Sequence, residues 1–379
     1  MAAYFPLILD PDILVEFEFD FLMAACSAKA NCHPEDKRAH FVVPFLYSGD
    51  ISLQTTTLGR EIPQLVEYVI RSRGLGFFPP GVESRPREQQ LVTVVSVARR
   101  CGRQAHASDT GTDIKWLDPR YGWLAVTVRT RRMREFDLEL GEIDAMCIGL
   151  RRFAKLQIDR TCGLRVAVTN SDGLGLDLLT LKKTMTLVFL LEDSLFRLCA
   201  PYRFLPRHGD DALRVPIMFG SNLARLSEDE QLSELQPENF AIDMDLFVPN
   251  WKSLPRGVQA RLNKLWGARN PDALALLFVP CSRLSSSSFG PGAEKMSVSV
   301  KIVDYAAAIE FRMFESTLDP GLAKMWAEVC AALVRKGGQK RDEYRELLKK
   351  IPEAIMRREV IQPAEMLADL GVHETVIAD

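Results

Sequence analysis

No apolar run in this 379-residue sequence approaches the ~18 residues needed to cross a bilayer. The longest candidates, such as TLVFLLEDSLF, are broken by acids. A transmembrane helix is therefore not expected. The first residues, MAAYFPLILDPDILVEFEFD, have no basic segment and meet Asp10 and Asp12 early, which argues against a secretory leader. An excess of one charge is also missing. Lys and Arg number 48 against 50 for Asp and Glu, a net charge of −2, so no basic field marks nucleic acid as a partner. Neither GxGxxG nor GxxxxGK[ST] occurs in a strand–helix context, which argues against a Rossmann or P-loop nucleotide site. No nucleophile elbow is present. A Ser–His–Asp or Cys–His constellation, whose members lie far apart in a chain, stays open.

Metal-binding spacing is equally scarce. Eight cysteines occur without one CxxC pair, and they read as buried free thiols of a reducing compartment. The segment CSAKANCH brings Cys26, Cys32 and His33 close, but a fourth ligand is missing and the spacing is not a usual zinc pattern. The five histidines, at 33, 40, 106, 208 and 373, show no paired spacing. There is no internal repeat, and the only low-complexity tract is the serine run in RLSSSSFGPGAEKM, which reads as an exposed loop. The expectation is a cytoplasmic protein without membrane or nucleic-acid partners.

What is present suffices for a large core. Apolar residues make up 47% of the chain, enough for one large domain or two ordinary ones. Alternation predicts strands over 12–24 and in WLAVTVRTR, the apolar and β-branched QLVTVVSV reads as a strand, CGLRVAVTN puts Leu164, Val166 and Val168 on one strand face, and HFVVPFLYS is a short strand candidate. SVSVKIVDYAAAIEFRMFE reads as two strands or a hairpin. Helical spacing predicts helices in LGREIPQLVEYVIRSRG, LGEIDAMCIGLRRFAKL and LDLLTLKKTMTLVFLLEDSLFRLCA. A further helix starts at Asp319–Pro320 and stops at Gly337–Gly338. The tail QKRDEYRELLKKIPEAIMRREV reads as one or two charged amphipathic helices broken at Pro352. The elements lack a clean βα rhythm, so the fold class is α+β with a mostly antiparallel sheet.

Two strands carry chemistry. In VEFEFDF, Phe17, Phe19 and Phe21 alternate with Glu16, Glu18 and Asp20. One strand face is then aromatic and the other is a column of acids. Neighbouring carboxylates repel unless a cation separates them, and a divalent metal does this with oxygen ligands. The alternative is a solvated sheet face backed by aromatic packing. In AIEFRMFESTLDP, Glu310 and Arg312 fall on one face and Ile309, Phe311 and Met313 on the other. An acid and an arginine so placed form either an ion pair or a phosphate site, the arginine gripping phosphoryl oxygens as a fork.

Together these stretches resemble the amidoligase family, which has a glutamine-synthetase-like carboxylate–amine ligase fold. LVEFEFDF is similar to the family's opening GxExEF strand. DRTCGLRVAVTN and the helix after it are similar to its CGxHVHV strand and long helix. AIEFRMFESTLDPGLAKMWAEVCAALVRKG is similar to its closing xIEFRxxEGTLD and Trp-bearing helix. The resemblance covers residues 10–336, with 35–115 as an insertion-like region and 337–379 as a charged helical extension. It implies a divergent, fungal-type member with a curved, mostly antiparallel sheet of glutamine-synthetase-like type and packed helices. Glu16, Glu18 and Glu310 would hold divalent metals, Mg²⁺ or Mn²⁺. Arg312 would face the ATP phosphates, with Arg203 near another family arginine. The reaction would join a small-molecule or peptide carboxylate to an amine through an acyl phosphate, in secondary metabolism or peptide modification. Glu192 and Glu315 stand at positions that could touch substrate, and His208 lies in a loop that could reach the same cleft.

The departures weigh on that implication. Arg165 and Ala167 stand at the family's histidine positions, and neither ligates a metal. Thr127 replaces an acid, Arg129 and Thr130 replace Ser-Pro, Lys301 replaces an Asn, and Ser316 replaces a Gly. Arg165 and Lys301 bring positive charge, Arg165 as a catalytic candidate and Lys301 as a cofactor-binding one. Two expectations remain. One is an ATP- and metal-dependent ligase. The other is a degenerate member without cofactors, acting as a binding or scaffold protein or catalysing an ATP-independent step.

Overall fold

The computed structural model describes residues 13–27, 43–45, 92–99, 122–134, 141–158, 162–171, 174–200, 221–223, 241–279, 296–303, 306–357, 359 and 361–372. The helix expected over 58–74, the serine-rich loop and all five histidines lie outside them. The described strands are β1 (Ile13–Ser27), β2 (Val43–Phe45), β3 (Val92–Arg99), β4 (Gly122–Thr130), β5 (Met133–Arg134), β6 (Leu156–Gln157), β7 (Gly163–Asn170), β8 (Val298–Val303) and β9 (Ala306–Glu315). The described helices are α1 (Glu142–Phe153), α2 (Leu178–Arg197), α3 (Ala241–Phe247), α4 (Arg256–Trp266), α5 (Pro271–Leu277), α6 (Pro320–Gly338), α7 (Arg341–Arg357) and α8 (Pro363–Leu370). The fold is mixed α+β, with an open sheet ordered β3-β4-β1-β7-β9-β8 and helices packed on it. Every pairing along that path is antiparallel, and only the short β2 runs parallel, beside β1.

β1 organises the sheet because its two faces differ so sharply. Val15, Phe17, Phe19 and Phe21 are buried against Val126 and Val128 of β4 and Val166 and Val168 of β7 in the main core. α6 lies on β1 and β7 and places Trp326 against Phe314, ring centroids 3.9 Å apart. The opposite face carries Glu16, Glu18 and Asp20. Beyond Asp20 it turns apolar at Leu22 and Ala24, which meet Trp123 and Cys162 in a second small cluster. Cys147, Cys162, Cys199 and Cys330 are buried free thiols.

Simple alternation fails in β9. Leu164 of β7 opposes Phe314 and Val166 opposes Phe311, so β9 holds one extra residue at Arg312–Met313. A bulge of this kind re-aims side chains. Here it keeps both Phe311 and Phe314 in register with inward-facing residues of β7. Val92–Arg99 and Gly122–Thr130, both expected as strands, pair as neighbours, a relation that neither segment shows on its own.

The helices start where their caps dictate. The Asp177 carboxylate accepts from the N–H groups of Leu179 and Thr180 at α2, and Asp319 accepts from Gly321 and Leu322 at α6. α6 ends at Gly338, at the expected Gly337–Gly338 stop, and the two glycines form its last turn. Gly337 is needed for close approach: a Cβ there would lie 2.0 Å from Thr184 Oγ1 and 3.0 Å from the Thr184 backbone nitrogen. One expectation changes: Pro352 does not break the tail. α7 runs through it, because Tyr344, Leu348, Ile351 and Pro352 bury one face, and that burial offsets the lost N–H bond. α7 and α8 contribute Tyr344, Leu348, Met366 and Leu367 to the main core.

α2 also buries two lysines that its apolar pattern does not announce. Lys182 donates to the Trp266 carbonyl at 2.6 Å. Lys183 donates to the Gln339 carbonyl and lies over the rings of Phe247 and Tyr344, at 5.5 and 4.9 Å. Burial lowers the pKa of Lys183. Among the described residues, no helix is long and apolar enough to cross a membrane.

The tight α2–α6 contact yields a stability prediction. Gly337→Ala is expected to cost about 1–3 kcal/mol, since a short threonine side chain and helix backbone must both shift. Urea denaturation of the variant against the native sequence measures it.

Candidate functional site

The polar face of the sheet gathers charge in rows across the strands. Glu18 stands opposite Arg129 of β4 on one side and Arg165 of β7 on the other. Asp20 stands opposite Thr127. Glu16 stands opposite Ala167, which stands opposite Glu310 of β9, which stands opposite Ser299 of β8. Six of these nine positions come from three quoted motifs, Thr127 and Arg129 come from WLAVTVRTR, and Ser299 comes from the run before AIEFR. What joins them is strand register.

Each acid has cations on neighbouring strands. Arg129 donates from Nε and Nη2 to Glu18 Oε2 at 3.0 and 2.8 Å. Arg165 donates to Glu18 Oε1 and reaches Asp20 at 3.5 Å. The Thr127 hydroxyl donates to Asp20 at 2.8 Å, so the residue in place of a family acid supports the column as a donor. Glu310 accepts from Arg312 Nε at 2.5 Å and pairs with Lys301. The Ser299 hydroxyl lies 3.4 Å from Glu310. Glu18 and Glu310 are almost fully buried, their side chains 6% and 2% exposed. A buried carboxylate stays ionised at tolerable cost only when paired and hydrogen-bonded.

Glu16 differs. Arg129 and Arg132 stand 3.4 and 3.6 Å away, too far or too poorly aimed for a hydrogen bond. Burial raises its pKa, and the pull of Arg129, Arg132 and Lys301 does not offset that. Arg132 reaches Glu16 from the break between β4 and β5, where the chain leaves the ladder. There the Phe17 N–H donates to Thr130 Oγ1 at 2.9 Å instead. Glu310 behaves in the opposite way. Burial pushes its carboxyl up, but Arg312 and Lys301 outweigh burial and hold it below the ordinary carboxylate range.

The remaining candidates fall elsewhere. Glu192 of α2 is buried and accepts from the Ser297 hydroxyl at 2.9 Å. The Ser297 carbonyl accepts from the Arg312 N–H at 2.7 Å, so Glu192 connects to the sheet behind Arg312. Glu315 accepts from the Ala200 N–H at 3.2 Å, beyond the end of α2. Arg203 and His208 lie outside the described residues. Sequence reasoning named Asp20 and Arg129 without giving them a role and passed over Arg132 and Ser299. The alternation of WLAVTVRTR puts Thr127 and Arg129 on one face, but nothing in it says that β4 lies beside β1.

A divalent metal needs several oxygens converging on one point, at about 2.1 Å for Mg²⁺. Among the described residues, no three Asp, Glu, His or Cys side chains come together in this way. Glu18 and Glu310 are turned to guanidinium and ammonium groups instead. As arranged, Glu16, Glu18 and Glu310 do not fit a metal.

Two predictions test this electrostatic picture. Arg165→Met leaves Glu18 with Arg129 alone and is expected to cost about 2–3 kcal/mol in denaturant melts. The second concerns pH. The unfolded Glu310 carboxyl titrates near about 4.3. Its lower folded value means that its contribution is complete above that pH and is lost as pH falls through the folded value. Glu16, shifted upward, contributes in the opposite sense. Melting temperatures followed from about pH 6 down to about pH 3 should therefore fall less steeply in Glu310→Gln, although that variant starts from lower stability. An equal slope in both proteins would remove Glu310 from the acid response.

No family model, no curated protein and no solved structure matches this chain. The resemblance to amidoligases rests on the motifs in its own sequence.

Proposed function

We propose that this chain is an amidoligase-like protein, with a sheet of glutamine-synthetase-like type, whose cleft works without ATP and without a divalent metal. It acts as a binding protein or catalyses an ATP-independent step on a carboxylate- or amine-bearing ligand. One observation carries this reading. Two of the acids that the family resemblance assigns to metals are already neutralised by fixed cations, Glu18 by Arg129 and Arg165 from the strands on either side and Glu310 by Arg312 of its own strand and Lys301 of β8. Arg165 and Lys301 are themselves departures from the family pattern. The cations thus arrive together with the loss of the histidines, which supports compensation within one site. A cation built into the chain supplies charge without the exchange and dehydration steps of a metal ion.

Glu16 favours the second reading, a retained ATP-dependent carboxylate–amine ligase using Mg²⁺. It is the acid of the column without a hydrogen bond, and its two arginines are the more exposed ones of the face. An incoming cation would find it the least committed ligand.

Titration calorimetry of ATP with and without Mg²⁺ separates the two. The expected result is no Mg²⁺-dependent binding up to millimolar nucleotide. Binding that appears only with Mg²⁺, and that Glu310→Gln abolishes in a folded protein, would establish the ligase reading instead.

A further inference from the structure

The polar face is layered. Its lower layer is acidic and buried: the side chains of Glu18 and Glu310 are 6% and 2% exposed. Its upper layer is basic: Arg129, Arg132 and Lys301 are 38%, 42% and 33% exposed. Between the layers, the register places two alanines among charged neighbours. Ala167 lies between Glu16 and Glu310, and Ala308 lies opposite Lys301. Both alanines retain solvent exposure, so the surrounding long side chains do not close over them. Around this spot the described residues supply five cations (Arg129, Arg132, Arg165, Lys301 and Arg312) against four acids, Glu16, Glu18, Asp20 and Glu310.

We propose that the partly exposed sheet face over Ala167 binds an oxyanion, a carboxylate or phosphate group of a small ligand, held by Arg129, Arg132 and Lys301 above the buried acids. The geometry supplies both halves of such a site. Glu18 fixes Arg129 through two hydrogen bonds, and Glu310 fixes Lys301, so these cations are oriented before a ligand arrives. Arg132 makes only a loose pair with Glu16 and keeps its fork of donors for the ligand. An alanine floor admits an anion where a larger residue would block it. This inference rests on the metal-free reading above and adds its ligand class. It uses departures from the family pattern, Ala167, Arg129 and Lys301, rather than positions the chain shares with the family.

The test is calorimetric titration of inorganic phosphate and, separately, of succinate into the full chain, with chelator present and no nucleotide. Wild-type protein is expected to bind at least one of the two saturably, the tighter one identifying phosphate or carboxylate as the preferred group. Arg132→Ala, at a largely exposed position, is expected to weaken binding by about tenfold or more. Ala167→Leu is expected to block it, with far-UV circular dichroism and the melting temperature confirming that the variant folds. Lys301→Gln provides a second charge deletion with the same expected direction. Absence of saturable binding to wild type, or unchanged affinity in Arg132→Ala and Lys301→Gln, would overturn the site. Chelator keeps this outcome separate from the ATP titration. A chain that binds neither anion nor Mg²⁺–ATP loses the anion site but keeps the metal-free reading, and one that binds both loses that reading but keeps the anion site.

Discussion

The interaction on which the sheet depends is the sharing of one buried carboxylate between two strands. Glu18 lies in the middle of β1 and receives Arg129 from β4 and Arg165 from β7. Taking a carboxylate out of water is expensive, and its partners must be in place for the strand to fold there. Any slip of one residue would move Glu18 into the apolar core and bring a phenylalanine onto the charged face. The three strands therefore have one acceptable register. The aromatic face enforces it from one side and the ion pairs from the other. Glu310 does the same further along, joining β8 and β9 through Lys301 and the Ser299 hydroxyl.

This arrangement changes what a row of acids means. In isolation, acids two apart on a strand suggest a place for a metal, because repulsion must be relieved. Here relief comes from side chains. Arginine suits this better than lysine where two oxygens or two acids must be engaged at once, since its planar fork keeps several donors in fixed directions. Arg165 and Arg129 each serve two acids, while Lys301 serves one. The same face then presents outward the charge that its buried layer does not absorb.

Much of this could be read from the chain. The alternation in VEFEFDF shows both faces of β1, and Asp319–Pro320 marks the start of α6. The hairpin of β8 and β9 follows from two β-rich runs separated by a short link. What escaped were relations between segments. No local pattern tells that Thr127 meets Asp20, because 107 residues separate them. The bulge at Arg312–Met313 defeats a count of alternating residues, since one inserted residue is invisible until the partner strand is known. Lys182 and Lys183 read as a polar interruption of an apolar helix, yet carbonyls and rings from α3, α4 and the α6–α7 link enclose them. Pro352 reads as a break because propensity counts the missing N–H and not the burial of the face around it.

Lys183 has one more consequence. Its ammonium holds the Gln339 carbonyl, where α6 passes into α7, and its own carbonyl accepts from the Tyr344 hydroxyl at 2.8 Å. The two hydrogen bonds run in opposite directions and close a loop through α2, the helix junction and α7. That loop is a clasp at a place where a chain would otherwise hinge. α6 lies directly behind β1 and β7, so the clasp connects the C-terminal helices to the back of the sheet whose front carries the charges.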